Sequence, residues 1–233
     1  MIITVLDIGN TNIGWAIFNQ DSVMSSGYGG EWENDESSAI VVGANVGIPQ
    51  SVLKHEHLFV LSKYKKILYD KFDIPVNIGF DRAANLYGAK SLLKSNNFAV
   101  IDCGSANTIT VMRDGKFAGG AISLGLGKSK QAVCDYFPAL ADYIIKPYNF
   151  HHGAFDIYTY SDDAVNMGIL SMQVAYINAY IKKLNDLKIS DIVLTGGDAE
   201  IIYQYLDNKS LRQEKLLTIL GYKQEHDFVR TIA

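Results

Sequence analysis

"VLDIGNTNIGWAIFNQD", residues 5–21, lies over "VIDCGSANTITVMRDGK", residues 100–116, without a gap. Val5, Asp7, Gly9 and Asn12 fall on Val100, Asp102, Gly104 and Asn107. Each copy opens on a short apolar run, meets an acid and a glycine, and resumes as a second apolar run. A run of that length stopped by Asp and Gly reads as a buried strand ending in a turn. Two generic hairpins can match by coincidence; a duplicated domain is the other reading. Two such halves facing each other would set acidic glycine turns on opposite walls of one cleft.

Working outward, "GWAIF" (14–18) reads as the hairpin partner of "IITVL" (2–6). Residues 19–38 are polar and glycine-rich, a loop. "AIVVGANVG" (39–47) is another strand, and Pro49 with Ser51 opens a helix over 51–58. "RAANLYGAKSLLKS" (82–95) has helical spacing. "FAVID" (98–102) and "TITVM" (108–112) are strands, the second followed by the turn "RDG". Residues 127–144 read as helix with a kink at Pro138. Residues 161–188 are the longest helical pattern, capped by Ser161 or Asp162. "DIVLTGGDAEIIYQYL" (191–206) reads strand, glycine turn, helix. Strands alternating with helices predict an α/β fold.

The 233 residues are 48% hydrophobic and 20% charged with net charge −4, an ordinary globular composition and a poor match to a nucleic-acid-binding surface. Two cysteines are too few for a disulfide framework, and an Asp at position 7 interrupts any signal peptide. No apolar run has the length of a membrane span. The expectation is a cytoplasmic protein with no nucleic-acid or membrane partner.

The turns carry chemistry. Gly9 lets the backbone come close to a ligand, successive N–H groups form an anion nest, and Asn10, Thr11 and Asn12 add donors. Asp7 would repel phosphate directly, so it would act through Mg²⁺, usually via water. A plain hairpin with Asn/Gly turn chemistry is the alternative. Asp102 at the second turn suits a cation, a water, or simple turn initiation; Ser105 and Thr108 add hydroxyls. In "GFDRAAN" (79–85), just before the predicted helix, Arg82 offers a planar fork for a carboxylate. Asp81 could take a proton from an alcohol attacking a phosphoryl group, or simply cap the helix. "GLGKS" (125–129) is not a P-loop, since the first glycine of that motif would fall on Ile122. Gly196 and Gly197 suit an adenine-side turn or a tight connection. His151 and His152 are sequential and lack the spacing of a helical metal pair.

In order along the chain, "DIGNTN", "GFDR", "DCGSANT", "GGAIS" with Gly125, and "LTGGDA" resemble the type III pantothenate kinase family, within the acetate and sugar kinase, Hsc70 and actin superfamily. The first is similar to the family's D-x-G-N-T, the second to G-x-D-R, the third to D-x-G-T-A. The resemblance spans residues 7–199. It implies two duplicated ribonuclease H-like (actin-like ATPase) domains, 1–97 and 98–233, with a cleft between them.

The resemblance also implies ATP-dependent phosphorylation of pantothenate to 4′-phosphopantothenate, the first step of coenzyme A biosynthesis, by a homodimer using Mg²⁺ and K⁺ or NH₄⁺. By it, Asp7, Ile8, Gly9, Asn10, Thr11, Asn12, Ile13 and Gly14 bind the ATP phosphates, with Asp7 near the Mg²⁺. Ser105 meets ATP, and Asp102 binds the monovalent cation. Gly79, Phe80, Asp81 and Arg82 contact pantothenate, and Asp81 accepts the proton. Ser161 stands where the family has a substrate-holding Thr, Phe72 where it often has a substrate-contacting Tyr, and Leu124 where it has Pro. Another superfamily kinase acting on a sugar or carboxylate is opposed by "GFDR". An accessory factor for transcription without kinase activity is opposed by the survival of Asp7, Asp81 and Asp102.

Overall fold

The computed structural model describes residues 2–9, 13–29, 39–43, 50–144 and 153–232. In chain order its elements are β1 (Ile2–Ile8), β2 (Ile13–Asn19), β3 (Ser22–Tyr28), β4 (Ala39–Val42), α1 (Gln50–Leu53), β5 (Leu58–Val60), α2 (Lys65–Asp70), α3 (Phe80–Leu93), β6 (Phe98–Cys103), β7 (Ala106–Arg113), β8 (Lys116–Leu124), α4 (Leu126–Tyr136), α5 (Ala141–Ile144), α6 (Ser161–Asp186), β9 (Ile192–Thr195), α7 (Ala199–Tyr203), β10 (Arg212–Gln213) and α8 (Leu217–Ile232). Two compact units result. One holds Met1–Asn96, Met112–Ala118 and Leu216–Ala233; the other holds Asn97–Val111 and Gly119–Lys215. The sequence boundary at 97/98 put residues 216–233 in the second domain, whereas the chain returns there to the first unit.

The first unit carries a sheet in the order β3-β2-β1-β4-β5. β1 pairs antiparallel with β2 from Ile2↔Asn19 to Ile8↔Ile13 and parallel with β4, which pairs parallel with β5. Ile3, Thr4, Val5 and Leu6 are all buried, as a central strand covered on both faces requires. On β2 only alternate residues are buried. The expected loop over 19–38 is corrected at residues 22–28. They form edge strand β3, which is almost wholly exposed and pairs with β2 through a bulge at Ile17/Phe18. Its serines leave no apolar alternation to read. The expected helix over 51–58 stops at Leu53, because the chain turns at His55–His57 to enter β5.

α8 was not anticipated either. Its buried face includes Lys223, Glu225 and His226, which break the apolar spacing that marks a helix in sequence. It packs on α3 at near-backbone contact. A Cβ at Gly221 would overlap the Ala84 carbonyl, and one at Gly88 would stand 2.5 Å from the Leu217 carbonyl. Thr218 Oγ1 and Asn85 Oδ1 are hydrogen-bonded at 2.9 Å across this contact.

The second unit repeats the order: β8-β7-β6-β9-β10, with β6 parallel to β9 and β9 parallel to β10. The hairpin comes first and the parallel strands after, as in the first unit. Each is the ribonuclease H-like arrangement that the family resemblance implies. α6 lays Leu170, Val174 and Ile177 against Ile101 and Leu194 of this sheet in one apolar cluster. Its N-cap is Tyr160, without a side-chain hydrogen bond, so neither Ser161 nor Asp162 caps it. Both lie in the first turn, where Asp162 and Asp163 complement the helix dipole. Pro138 opens a short 3₁₀ turn between α4 and α5, at the expected kink.

Candidate functional site

In the first unit, Asp7 is the penultimate residue of β1, opposite Gly14 on β2. The last β1–β4 pair is Leu6↔Val42, so Asp7 emerges at the carboxyl end of the parallel strands, where open α/β sheets present ligand sites. Ile8 and Ile13 pair across the hairpin, both half-buried. Gly9 is exposed, and Gly14 is buried beneath the Tyr28 ring, 3.3 Å from where a Cβ would stand. Asn10, Thr11 and Asn12 lie outside the described residues.

Gly79 is the N-cap of α3, so Asp81 and Arg82 sit inside its first turn rather than before the helix. The Asp81 carboxylate folds back over Gly79 so closely that a Cβ there would overlap Oδ1. Asp81 is exposed; Arg82 is buried. Burial pulls the Arg82 guanidinium below its ordinary range, against the pull upward from Asp81 and Tyr69. The Phe80 ring stacks between Tyr69 and Tyr222, at centroid distances of 5.9 and 6.1 Å. Tyr69 donates its hydroxyl to the Ile78 carbonyl at 2.9 Å, fixing the approach to Gly79.

Tyr222, on α8, is the residue that sequence reasoning missed. Its ring fits only because Gly43, just past β4, lacks a side chain; a Cβ there would lie 2.5 Å from Cζ. Burial raises its hydroxyl pKa most, and Asp7 and Asp81 add to the rise. One buried phenol therefore feels the carboxylates of both motifs. It comes from a helix remote in sequence, and no local pattern marks it. Phe72 lies in the core, 6% exposed and packed on Tyr87 at 4.7 Å.

In the second unit, Asp102 is the penultimate residue of β6, in register with Thr195 of β9. Three turns meet around it. Gly104 N–H donates to the Ala106 carbonyl at 3.2 Å, closing the turn that presents Ser105. Gly125 N–H donates to the Ser105 carbonyl at 3.0 Å, and a Cβ on Gly125 would overlap the Gly104 carbonyl. Gly196 has φ +97°, and a Cβ there would lie 2.5 Å from both Asp102 Oδ1 and the Cys103 carbonyl oxygen. Asp198 N–H donates to that carbonyl at 2.9 Å. Burial raises the Asp198 carboxyl pKa, opposed by Lys130 and by the Gly127 N–H. Lys130 is lowered by burial and held up by Asp198. Cys103 is buried, its thiol pushed up by burial and by Asp102, so it reads as core. Ser161 is exposed at the first position of α6. His151 and His152 lie outside the described residues.

Among the described residues, no cluster of three or more His, Cys, Asp or Glu is placed to hold a metal ion. A lone carboxylate such as Asp7 still fits Mg²⁺, which keeps most of its waters beside phosphate. At the second turn, the Asp102 carboxylate and the Cys103 carbonyl both face Gly196, and the carbonyl already accepts from the Asp198 N–H. No described helix is long and apolar enough to cross a membrane.

The family model for type III pantothenate kinase matches residues 38–183. The chain belongs to this family. A type III pantothenate kinase from Dechloromonas aromatica is 29% identical over 226 residues, covering 88% of this chain and 91% of that protein. One from Thermosipho melanesiensis is 28% identical over 144 residues, covering 61% of this chain and 56% of its own length. Among solved structures, a conserved protein from Campylobacter jejuni, assigned to the Baf family of transcriptional activators, superposes with TM-score 0.68 at 22% identity, covering 98% of this chain and all of that one. A Sinorhizobium meliloti protein assigned as a 2-dehydro-3-deoxygalactonokinase gives 0.59 at 11% identity, with 97% and 99% covered. At these identities the structures speak to fold alone. The fold is α/β with two ribonuclease H-like domains of the actin-like ATPase and sugar-kinase type.

Proposed function

We propose that this chain is an ATP-dependent pantothenate kinase. It transfers the γ-phosphoryl group to the primary hydroxyl of pantothenate, giving 4′-phosphopantothenate, the first step toward coenzyme A. Beside family membership, one observation supports this most directly. Phe80, next to Asp81 at the start of α3, stacks on Tyr222, and the Tyr222 ring lies against Gly43 just past β4, the strand paired with the β1 that carries Asp7. The segments bearing the two carboxylates that the reaction needs therefore meet at one buried phenol.

In this reading residues 7–14 receive the ATP phosphates, and Asp7 holds Mg²⁺ through water. Mg²⁺ would neutralise charge on the transferring phosphoryl group. Asp81 takes the proton of the attacking hydroxyl, and its exposure leaves it accessible to substrate. Gly79 and Phe80 shape the substrate side. The desolvated Arg82 binds the pantothenate carboxylate more strongly than an exposed guanidinium would. Ser105 meets ATP, Asp102 binds K⁺ or NH₄⁺, and Ser161 hydrogen-bonds pantothenate. Phe72, being buried, supports the segment before Gly79 from behind. The working form is a cytoplasmic homodimer that uses α6 as an interface.

The test is ADP release in a coupled assay with pantothenate, with and without K⁺, on the wild type and on Asp81→Asn. Turnover should depend on pantothenate and fall by about 10²–10⁴ in the variant, the usual worth of a positioned base, with nucleotide binding retained. Full activity in the variant would remove Asp81 as the base. No pantothenate-dependent release by the wild type would remove the function.

A further inference from the structure

We infer that Gln173 is a positioning residue for the second acidic turn, and that it sets the affinity for nucleotide and monovalent cation without touching either. This rests on the kinase reading above. Gln173 is 2% exposed on the face of α6 that otherwise presents Leu170, Val174 and Ile177 to the core. A primary amide there costs free energy unless it is hydrogen-bonded at both ends. Here it is. Asn107 Nδ2 donates to Gln173 Oε1, and Gln173 Nε2 donates to Ser129 Oγ at 3.1 Å. Asn107 Nδ2 also lies 3.5 Å from the Leu124 carbonyl, which can only accept, so the amide orientation is determined.

The geometry ties together the two segments that build the Asp102 side of the unit. Asn107 is the second residue of β7, directly after the Gly104–Ser105 turn. Ser129 is buried in the first turn of α4, where its N–H donates to the Gly125 carbonyl at 2.9 Å. Gly125 N–H already holds the Ser105 carbonyl. The main chain thus locks these segments once, and Gln173 locks them again from behind. Asn107 Oδ1 is buried without a hydrogen-bond partner among the described residues. The Asn107 side chain is therefore held by its nitrogen alone, and Gln173 is its close anchor. Without that anchor, the backbone presenting Ser105 and Asp102 loses its second constraint.

Gln173→Leu keeps the volume and removes both hydrogen bonds; Ser129→Ala removes one and is the milder change. Initial rates against ATP, pantothenate and K⁺ should be measured for both, with calorimetric nucleotide binding and thermal unfolding. For Gln173→Leu the ATP KM and the K⁺ half-activation concentration should rise about tenfold, the worth of one positioned hydrogen bond. The pantothenate KM should stay within about twofold, and Ser129→Ala should move the same two constants by less. A folded Gln173→Leu with unchanged ATP and K⁺ dependence overturns the inference, as does an equal rise in all three constants. If Gln173→Leu does not fold, Ser129→Ala decides by the same criteria. If the wild type shows no turnover with pantothenate, the kinase reading fails separately. Calorimetry with and without K⁺ then decides: weaker nucleotide binding in the variant supports the role of Gln173, and equal or absent binding in both proteins ends it.

Discussion

Glu225 has no accessible surface, and neither of its carboxyl oxygens has a hydrogen-bond partner among the described residues. Burial lifts its pKa well above the ordinary carboxyl range, and the nearby hydroxyls of Tyr69, Tyr87 and Tyr222 are themselves pushed up, mainly by burial. The folded chain therefore holds Glu225 as the neutral acid. In the unfolded chain the group ionises near pH 4.5. Between that pH and the raised folded value, the native state keeps a proton that the unfolded state has lost. Its contribution is complete below the unfolded pKa and falls as pH rises, by about 1.4 kcal/mol per pH unit at the steepest. Glu225→Gln mimics the neutral acid. It should be more stable than the wild type at pH 7–8, and urea midpoints measured from pH 5 to 8 should slope less. Parallel slopes for the two proteins would refute the neutral state. Such residues are illegible in sequence. Asp7, Asp81 and Asp102 stand out in sequence because each sits beside glycines in a local pattern. Tyr222, Glu225 and Gln173 lie on helices far along the chain, and a buried polar residue looks like any surface one until the fold covers it.

Among elements, β1 and β6 were legible because both faces are buried, which compresses them into continuous apolar runs. β3 and α8 were not, for opposite reasons: one is too exposed to carry an apolar pattern, the other buries its polar residues. The α3–α8 contact can be tested through its glycines. Gly221→Ala would drive a methyl group into the Ala84 carbonyl, which is backbone and cannot rotate away. Separating the helices should cost about 1–3 kcal/mol, the usual penalty of overpacking, visible as a lower urea midpoint. The β9–α7 turn makes a second test. Gly196 combines a left-handed φ of +97° with contact to Asp102 Oδ1. Gly196→Ala should displace that carboxylate and raise the K⁺ requirement more than the pantothenate KM, as steady-state kinetics would show.

Across the whole molecule, the repeated segment marked the hairpin that opens each sheet, and the two sheets share one strand order. The route of the chain between the units could not be predicted, because nothing in the sequence of α8 says which sheet it covers. The consequence is testable. Residues 1–97 alone should not fold, because Leu217, Ile219, Tyr222 and Val229 are buried from a segment that this fragment lacks. A chain ending at 215 should keep protection in 97–111 and 119–215 and lose it in 1–96, read by hydrogen exchange. Equal protection in both units would mean that α8 is dispensable.

The return of α8 to the first unit also bears on synthesis. β1–β5 leave the ribosome early, but the face that α8 covers stays open until residues 217–232 follow, 157 residues after β5 ends. At about 5–20 residues per second, that wait is on the order of ten seconds. All the strands of the second unit have emerged by residue 213, so the half encoded later completes itself first. The nascent sheet β1–β5, with edge strand β3 open, is the species that a chaperone would have to shield from aggregation.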